Sequence, residues 1–336
     1  MSDNTAAERQ QKRSKRLIEQ GYKRKTIWIH EKCEAAFNVV KEHLQDPQAN
    51  ESLEEIIQEL QKEKKPVNIA SVRQLSPFRY PGGKTWLIPE LKKRLYGNYT
   101  KPKFFIEPFA GGGIASLTVA AENLTDQVIM GELDPDVSSV WKTILRNPEY
   151  LCDKIKSFVV NYENVRSELD KKPSTTSERA FQTIIKNRVN RGGILAPGAG
   201  LVKTGENGKG LKSRWYPETL VKRIKAINQI KNKIKFYEMD AFELIKKYKE
   251  NKDTCFFIDP PYTLGKKGAG KRLYRHNEID HRILFKEMSE AKGKCMLTYD
   301  DTTEAENIAL EYGFNIDRIP MKNTHNRVVY ELIICN

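Results

Sequence analysis

The sequence predicts an α/β protein: a mainly parallel sheet with helices on both faces, a mostly helical insertion, and a small accessory region in front. Three observations lead there. From Ser76 onward, short apolar strands alternate with helical stretches, and strands separated by crossover helices build parallel sheets. Between Cys152 and Lys233 that rhythm breaks, and residues 1–70 differ in texture from everything after them.

Residues 1–70 come first. Arg9 to Lys25 holds eight basic residues and one acid. The alternating Lys25-Thr26-Ile27-Trp28-Ile29-His30 suits one strand, and Ala36, Phe37, Val40 and Leu44 then fall at helical spacing. A second helix is expected from Ser52 to about Lys64, opened by Ser52 with Glu55 three residues on. Strand, helix, turn and helix behind a basic arm resemble a ribbon-helix-helix DNA-binding module. Such a module would make the chain a homodimer through its strand; a plain helical extension packed on the main domain is the competing expectation.

In the remainder, strands are expected from Lys103 to Ile106, Gln127 to Gly131, Ile234 to Tyr237, Thr254 to Ile258, Lys294 to Thr298 and Val328 to Ile334. Helices follow the first two, from Ile114 to Glu122 and from Val137 to Leu145. These pieces, 76–151 and 234–336, make one α/β domain, and 152–233 inserts into it, helical at first and then a Gly-rich basic loop.

Composition narrows the function classes. A chain of 336 residues has room for two domains and a small third. No run approaches the roughly 18 apolar residues of a membrane span, and the polar, basic stretch from Met1 to Arg16 is not a secretory signal. Cys33, Cys152, Cys255, Cys295 and Cys335 are scattered without a CxxC pair, which argues against a disulfide framework and a zinc site and for a cytoplasmic protein. The net charge is +14, and from Lys186 to Lys235 thirteen Lys/Arg face only Glu206 and Glu218, a local net of +11. Such a block attracts a polyphosphate backbone by releasing its counterions. Glycines and an aromatic interleave the charges, as in Arg191-Gly192-Gly193 and Lys212-Ser213-Arg214-Trp215-Tyr216, so Arg188, Arg191, Lys203, Lys209, Lys212 and Arg214 are candidate DNA contacts.

Three motifs carry chemistry. In Phe105-Ile106-Glu107-Pro108-Phe109-Ala110-Gly111-Gly112-Gly113 a strand ends in a carboxylate and a glycine turn opens a helix. Ligands of open α/β sheets bind outside the carboxyl ends of strands, where glycines admit a close approach. The G-x-G-x-x-G of a dinucleotide site is missing, and an acid beside the glycines suits a cationic or amino-bearing ligand better than an anion. Next, Glu132, Asp134 and Asp136 end the second strand; one acid there can accept both ribose hydroxyls of a nucleoside while another caps the following helix. Third, a strand of large apolar residues delivers Asp259-Pro260-Pro261-Tyr262. The prolines fix the backbone, so Asp259 and the Pro260 carbonyl can together accept both hydrogens of an exocyclic amino group, and Tyr262 offers a flat face for a base.

With these residues in place, the chain resembles the Dam-like, alpha-group adenine-N6 DNA methyltransferases over about residues 76–336. The resemblance implies a Rossmann-like S-adenosylmethionine-dependent methyltransferase sheet with an inserted DNA-recognition domain, and S-adenosylmethionine as methyl donor. In Pro77-Phe78-Arg79-Tyr80-Pro81-Gly82-Gly83-Lys84 it implies that Tyr80 and Lys84 lie beside the methionine part of the cofactor. Glu107 with Phe109, Ala110, Gly111 and Gly113 matches the main cofactor motif, Glu132 stands where the family has its ribose-binding acid, with Asp134 beside it, and Asp240 matches the acid that meets the cofactor's adenine amino group. The motif order, cofactor glycines before the catalytic tetrapeptide, is that of the alpha group. The recognition hairpin of the GATC methylases is not recognisable between Arg188 and Arg223, so the target sequence does not carry over.

The expected reaction is direct transfer onto a flipped-out adenine in double-stranded DNA. It needs no metal, and the sequence shows no metal-ligand cluster; His276 and His281 beside Asp280 fit helix capping. Methylation of another amino group (RNA adenine, cytosine N4 or a protein glutamine) and a non-catalytic repressor remain competing readings. A cognate restriction endonuclease and a bacterial, plasmid or phage source go with the main one.

Overall fold

The computed structural model describes residues 15–16, 19–20, 69–79, 82–97, 101–262, 279–322 and 328–336. The chain divides into two compact units, Met1–Glu63 and Lys64–Asn336. The strand-helix-turn-helix reading of the first unit, Tyr80 and His276 lie outside the described residues.

The second unit is built on one sheet whose strands are β1 (Phe104–Glu107), β2 (Gln127–Gly131), β3 (Ile234–Tyr237), β4 (Thr254–Ile258), β5 (Lys294–Asp300), β6 (Asn315–Lys322) and β7 (Val328–Cys335). Their order is β3-β2-β1-β4-β5-β7-β6. The first five run parallel, with Ile106 beside Ile129 on one side and Phe256 on the other; β7 is antiparallel to both its neighbours. Strand β6 was not anticipated. Its first half is mostly exposed, with Asp317 and Arg318 adjacent, and it contains Pro320, features that an edge strand tolerates because only one side of its ladder is paired.

The helices are α1 (Ile88–Gly97), α2 (Ile114–Ala121), α3 (Pro135–Arg146), α4 (Pro148–Ser157), α5 (Tyr162–Leu169), α6 (Thr176–Val189), α7 (Pro217–Gln229), α8 (Ala241–Tyr248), α9 (His281–Ser289) and α10 (Thr303–Glu311). Side chains alternate across a strand, and here the alternation fills two cores. Phe105 and Phe257 stack at 6.2 Å and point to the side of α1–α7, where Leu91, Leu117, Trp141, Ile184 and Leu220 pack. Ile106, Phe256 and Ile258 point the other way, to Leu244, Phe285 and Ile308 of α8–α10. A sheet covered on both faces explains why β4 reads as an unbroken apolar run, with all five of its residues buried.

Helices α4–α7 fall between β2 and β3, in the stretch where the rhythm of the sequence breaks. Cys152 lies inside α4, and these helices share the core of α3. α6 opens on a capping box in which Thr175 accepts from the Glu178 amide while the Glu178 carboxylate accepts from that of Thr175. Among the described residues no helix is long and apolar enough to cross a membrane.

Candidate active site

From the adjacent pair β1 and β4 the sheet order proceeds in opposite directions. Such a switch point opens a crevice at the carboxyl ends of the strands. Glu107 closes β1, Glu132 follows β2, Asp240 follows β3 and Asp259 follows β4. All four line one cavity of about 680 Å³, together with Lys84 and Phe109. The four acids read along the chain are thus brought to one place.

In the glycine turn Gly111 and Gly113 take positive φ, 45° and 62°, conformations that side chains disfavour. A Cβ at Gly113 would also stand 2.6 Å from the Met130 methyl and 2.9 Å from the Trp141 ring. Trp141 is fully buried and its indole donates to the Gly111 carbonyl at 3.0 Å, fixing the turn to α3. Ala110 donates to the Gly131 carbonyl at 2.9 Å, which ties the turn to β2 as well.

The acids around this turn are held by backbone donors. Glu107 accepts from the Ser116 amide at 3.0 Å. Burial, and then the charges of Asp259 and Glu132, push its carboxyl up to about 8. Glu132 accepts from the amides of Gly111 and Asp134, both at 2.9 Å, and burial raises it to about 7. Asp134 caps α3 by accepting from the Asp136 amide at 2.8 Å, whereas the buried Asp136 turns to Arg179 and Lys186. Of the two helix-side acids, Asp134 is the cap and lines the cavity; Asp136 does not line it. Asp240 caps α8 through the Phe242 amide at 2.8 Å.

The Asp259–Tyr262 tetrapeptide sits in a network that the sequence does not reveal. Asp259 Oδ1 accepts from Thr298 at 2.7 Å and Tyr262 at 3.0 Å, and pairs with the Lys84 ammonium at 3.0 Å. Its other oxygen has no hydrogen-bond partner among the described residues. Glu331, in the middle of β7, takes Tyr262 at 3.2 Å and Lys84 at 3.5 Å. Burial raises Glu331 to about 7, with Lys84 opposing. Tyr262 stacks on Tyr299 at 5.8 Å and lies under the Lys84 ammonium, 4.7 Å from the ring centroid. Burial and the Asp259 charge raise its phenol well above the usual range. Tyr299 is in turn held at 2.9 Å by His281, and Asp280 caps α9. Lys84 therefore binds the Asp259 carboxylate, and sequence reasoning missed Thr298, Tyr299 and Glu331, which surround the tetrapeptide. One cue was available: Glu331 is the lone acid in an otherwise apolar strand, Val328-Val329-Tyr330-Glu331-Leu332-Ile333-Ile334.

The basic segment divides. Arg191, Lys203, Lys209 and Lys212 are exposed, Arg214 is half-buried, and Arg188 is buried. Only Arg188 and Arg214 of these six line the cavity, where Arg79 and Arg223 join them.

Comparisons with known proteins show the family. A family description, D12 class N6 adenine-specific DNA methyltransferase, matches residues 80–322. The type II methyltransferase M.MjaIII of Methanocaldococcus jannaschii is 23% identical over 300 residues, covering 78% of this chain and 99% of that one. Among solved structures, the rRNA methyltransferase aviRa of Streptomyces viridochromogenes is similar at 13% identity and a TM-score of 0.38, covering 76% of this chain and 85% of its own.

Proposed function

Because the chain belongs to the D12 class N6 adenine-specific DNA methyltransferase family, we propose that Asp259 and its anchors carry out methyl transfer to adenine N6 at the mouth of the β1–β4 crevice. The enzyme is an adenine-specific DNA methyltransferase that uses S-adenosylmethionine. When bound, that cofactor supplies a sulfonium methyl that is already electrophilic.

The cavity suits it. Two acids line it near a glycine turn without side chains, and Asp240 lines it as well; in this reading Glu107 would meet an ammonium group, Glu132 a ribose and Asp240 an adenine amino group. Tyr80 and Lys84 were expected beside the methionine part. Lys84 lines the cavity while paired with Asp259, which supports a role in orienting the carboxylate.

The nucleophile is poor because the N6 lone pair is delocalised into the ring. Asp259 Oδ1 is occupied by three donors, which leaves Oδ2 to accept one N6 hydrogen while the Pro260 carbonyl accepts the other. This pair favours a more tetrahedral amine and aims its lone pair at the methyl. Pro261 keeps the turn rigid. Asp259 also stabilises the positive charge that develops on N6. Tyr262 holds Asp259 through its hydroxyl. Its expected stacking on a flipped base requires a ring face, and Tyr299 and Lys84 already lie against the ring; stacking therefore calls for the Lys84 ammonium to move aside.

The single observation carrying this reading is the three-donor anchoring of one Asp259 oxygen at the switch point. The Asp259→Asn variant tests it: methyl transfer to DNA should be lost, with cofactor and DNA binding retained. Near-normal transfer would refute the assignment.

Helices α4–α7 and the loops around them would form the DNA-recognition part, with Arg191, Lys203, Lys209 and Lys212 as exposed phosphate contacts. A homodimer through the N-terminal region, a cognate endonuclease (as the type II name of the Methanocaldococcus relative suggests) and a cytoplasmic site of action in a bacterial, plasmid or phage context complete the proposal.

A further inference from the structure

Arg79, Arg188, Arg214 and Arg223 come from four separate elements and line the same cavity as the proposed catalytic residues. Arg188 and Arg223 converge on the short segment that carries Arg79. The Arg188 guanidinium donates to the Pro77 carbonyl, and Arg223 donates to the Ser76 carbonyl at 2.8 Å. Arg79 follows two residues on, its backbone clamped by Asn187, which accepts from the Arg79 amide at 2.8 Å and donates to its carbonyl at 3.0 Å. Gly193 closes against that carbonyl; a Cβ there would run into it.

Arg188 is the telling member. It is 5% exposed, yet its Nε is buried without a hydrogen-bond partner among the described residues. A buried donor left unmade is costly. The arginines also repel one another: burial first, then Arg223, Arg79 and Arg214, pull Arg188 down to about 9. Four cations facing one space are a fitting host for an oxyanion, because guanidinium forks match phosphate and carboxylate oxygens in pairs.

We propose that these four arginines form an oxyanion site, and that its ligand is a backbone phosphate of the DNA strand that presents the target adenine. This rests on the methyltransferase reading above. An anion-binding group beside the crevice would grip the strand where it must be distorted to deliver the base, a cost of a few kcal/mol that backbone contacts offset. Three of the four arginines lie in the +11 stretch from Lys186 to Lys235. The same chemistry could serve the carboxylate of the cofactor's methionine part, so the test must separate the two.

The full-length protein and its Arg79→Gln, Arg214→Gln and Arg188→Lys variants would be titrated with an adenine-containing duplex across a salt series, and separately with S-adenosylhomocysteine. Each Gln variant should bind DNA roughly tenfold more weakly, the loss expected for one charge-assisted bond. Its log-affinity against log-salt slope should be shallower by about one. Arg188→Lys keeps the charge but loses the fork, so DNA affinity should fall with the slope unchanged. Affinity for S-adenosylhomocysteine should stay within twofold throughout. Unchanged DNA affinity in both Gln variants overturns the site, and weakened cofactor binding with normal DNA binding assigns it to the carboxylate instead. Methyl transfer by the wild-type preparation is read alongside: if it is absent, the underlying function fails, whereas normal transfer with unaffected variants fails the arginine site alone.

Discussion

Cofactor binding should release a proton, and Glu107 should be its main source. Burial raises this carboxyl to about 8, so at pH 7 roughly nine-tenths of the molecules carry it protonated, and ionising it costs about 1.4 kcal/mol. If Glu107 receives the cofactor's ammonium, it must do so as a carboxylate. Binding at pH 7 should then release about 0.9 proton from Glu107. Glu132, raised to about 7, can add up to about half a proton more. The sign follows from the raised pKa: the free protein holds the proton at low pH, so Glu107 alone should make affinity rise about tenfold per unit between pH 6 and 7 and level off as pH passes 8. Isothermal titration with S-adenosylhomocysteine in phosphate and in Tris measures the released protons, because the two buffers differ in ionisation enthalpy. Glu107→Gln should remove the larger share of the buffer dependence and flatten the pH profile. Equal heats in both buffers at pH 7, or an identical profile in Glu107→Gln, would refute the placement of an ammonium group at this acid.

Three further outcomes are expected. Lys84→Met leaves Asp259 and Glu331 without their shared cation, which should lower stability by about 3 kcal/mol. The loss in a denaturant titration should be larger at pH 8 than at pH 6, since Glu331, raised to about 7, can neutralise itself by protonation below that; an equal loss at both would argue against the pairing. Gly113→Ala forces a side chain into φ 62° and against Trp141; the strain alone is worth about 1–3 kcal/mol, so the melting temperature should drop by several degrees, and an unchanged melting curve would contradict the packing. Removal of residues 1–70 tests the N-terminal expectation: loss of DNA affinity together with a fall in oligomer size in light scattering supports a ribbon-helix-helix dimer, and no change in either dismisses it.

What the sequence made legible was whatever the chain writes locally. β1 ends in an acid, β2 and β4 are each followed directly by one, and glycine or proline lies within a few residues of all three. Glu107, Glu132, Asp240 and Asp259 could therefore be read in order, and the parallel sheet brings them to one edge. The residues that escaped reach the site only through long-range pairing: Thr298 lies 39 positions and Glu331 72 positions beyond Asp259. Arg79 and Arg223 meet only through the Ser76–Arg79 segment, across 147 positions in the Ser76–Arg223 bond. β6 carried too few buried residues to announce itself.

Glu331 shows why such a residue is hard to read. A parallel strand delivers its carboxyl end to the ligand edge, so the search for acids looks at strand ends. β7 runs the other way, and the register with β5 sets Glu331 opposite Asp300, at the carboxyl end of β5. A mid-strand residue of an antiparallel strand thereby arrives where the parallel strands finish. The reversal of β7 places a second carboxylate beside Asp259, and Lys84, 4% exposed between the two, neutralises the crowding that results. The tetrapeptide motif specifies the proposed catalytic acid, but the direction of the last strand decides which groups hold it in place.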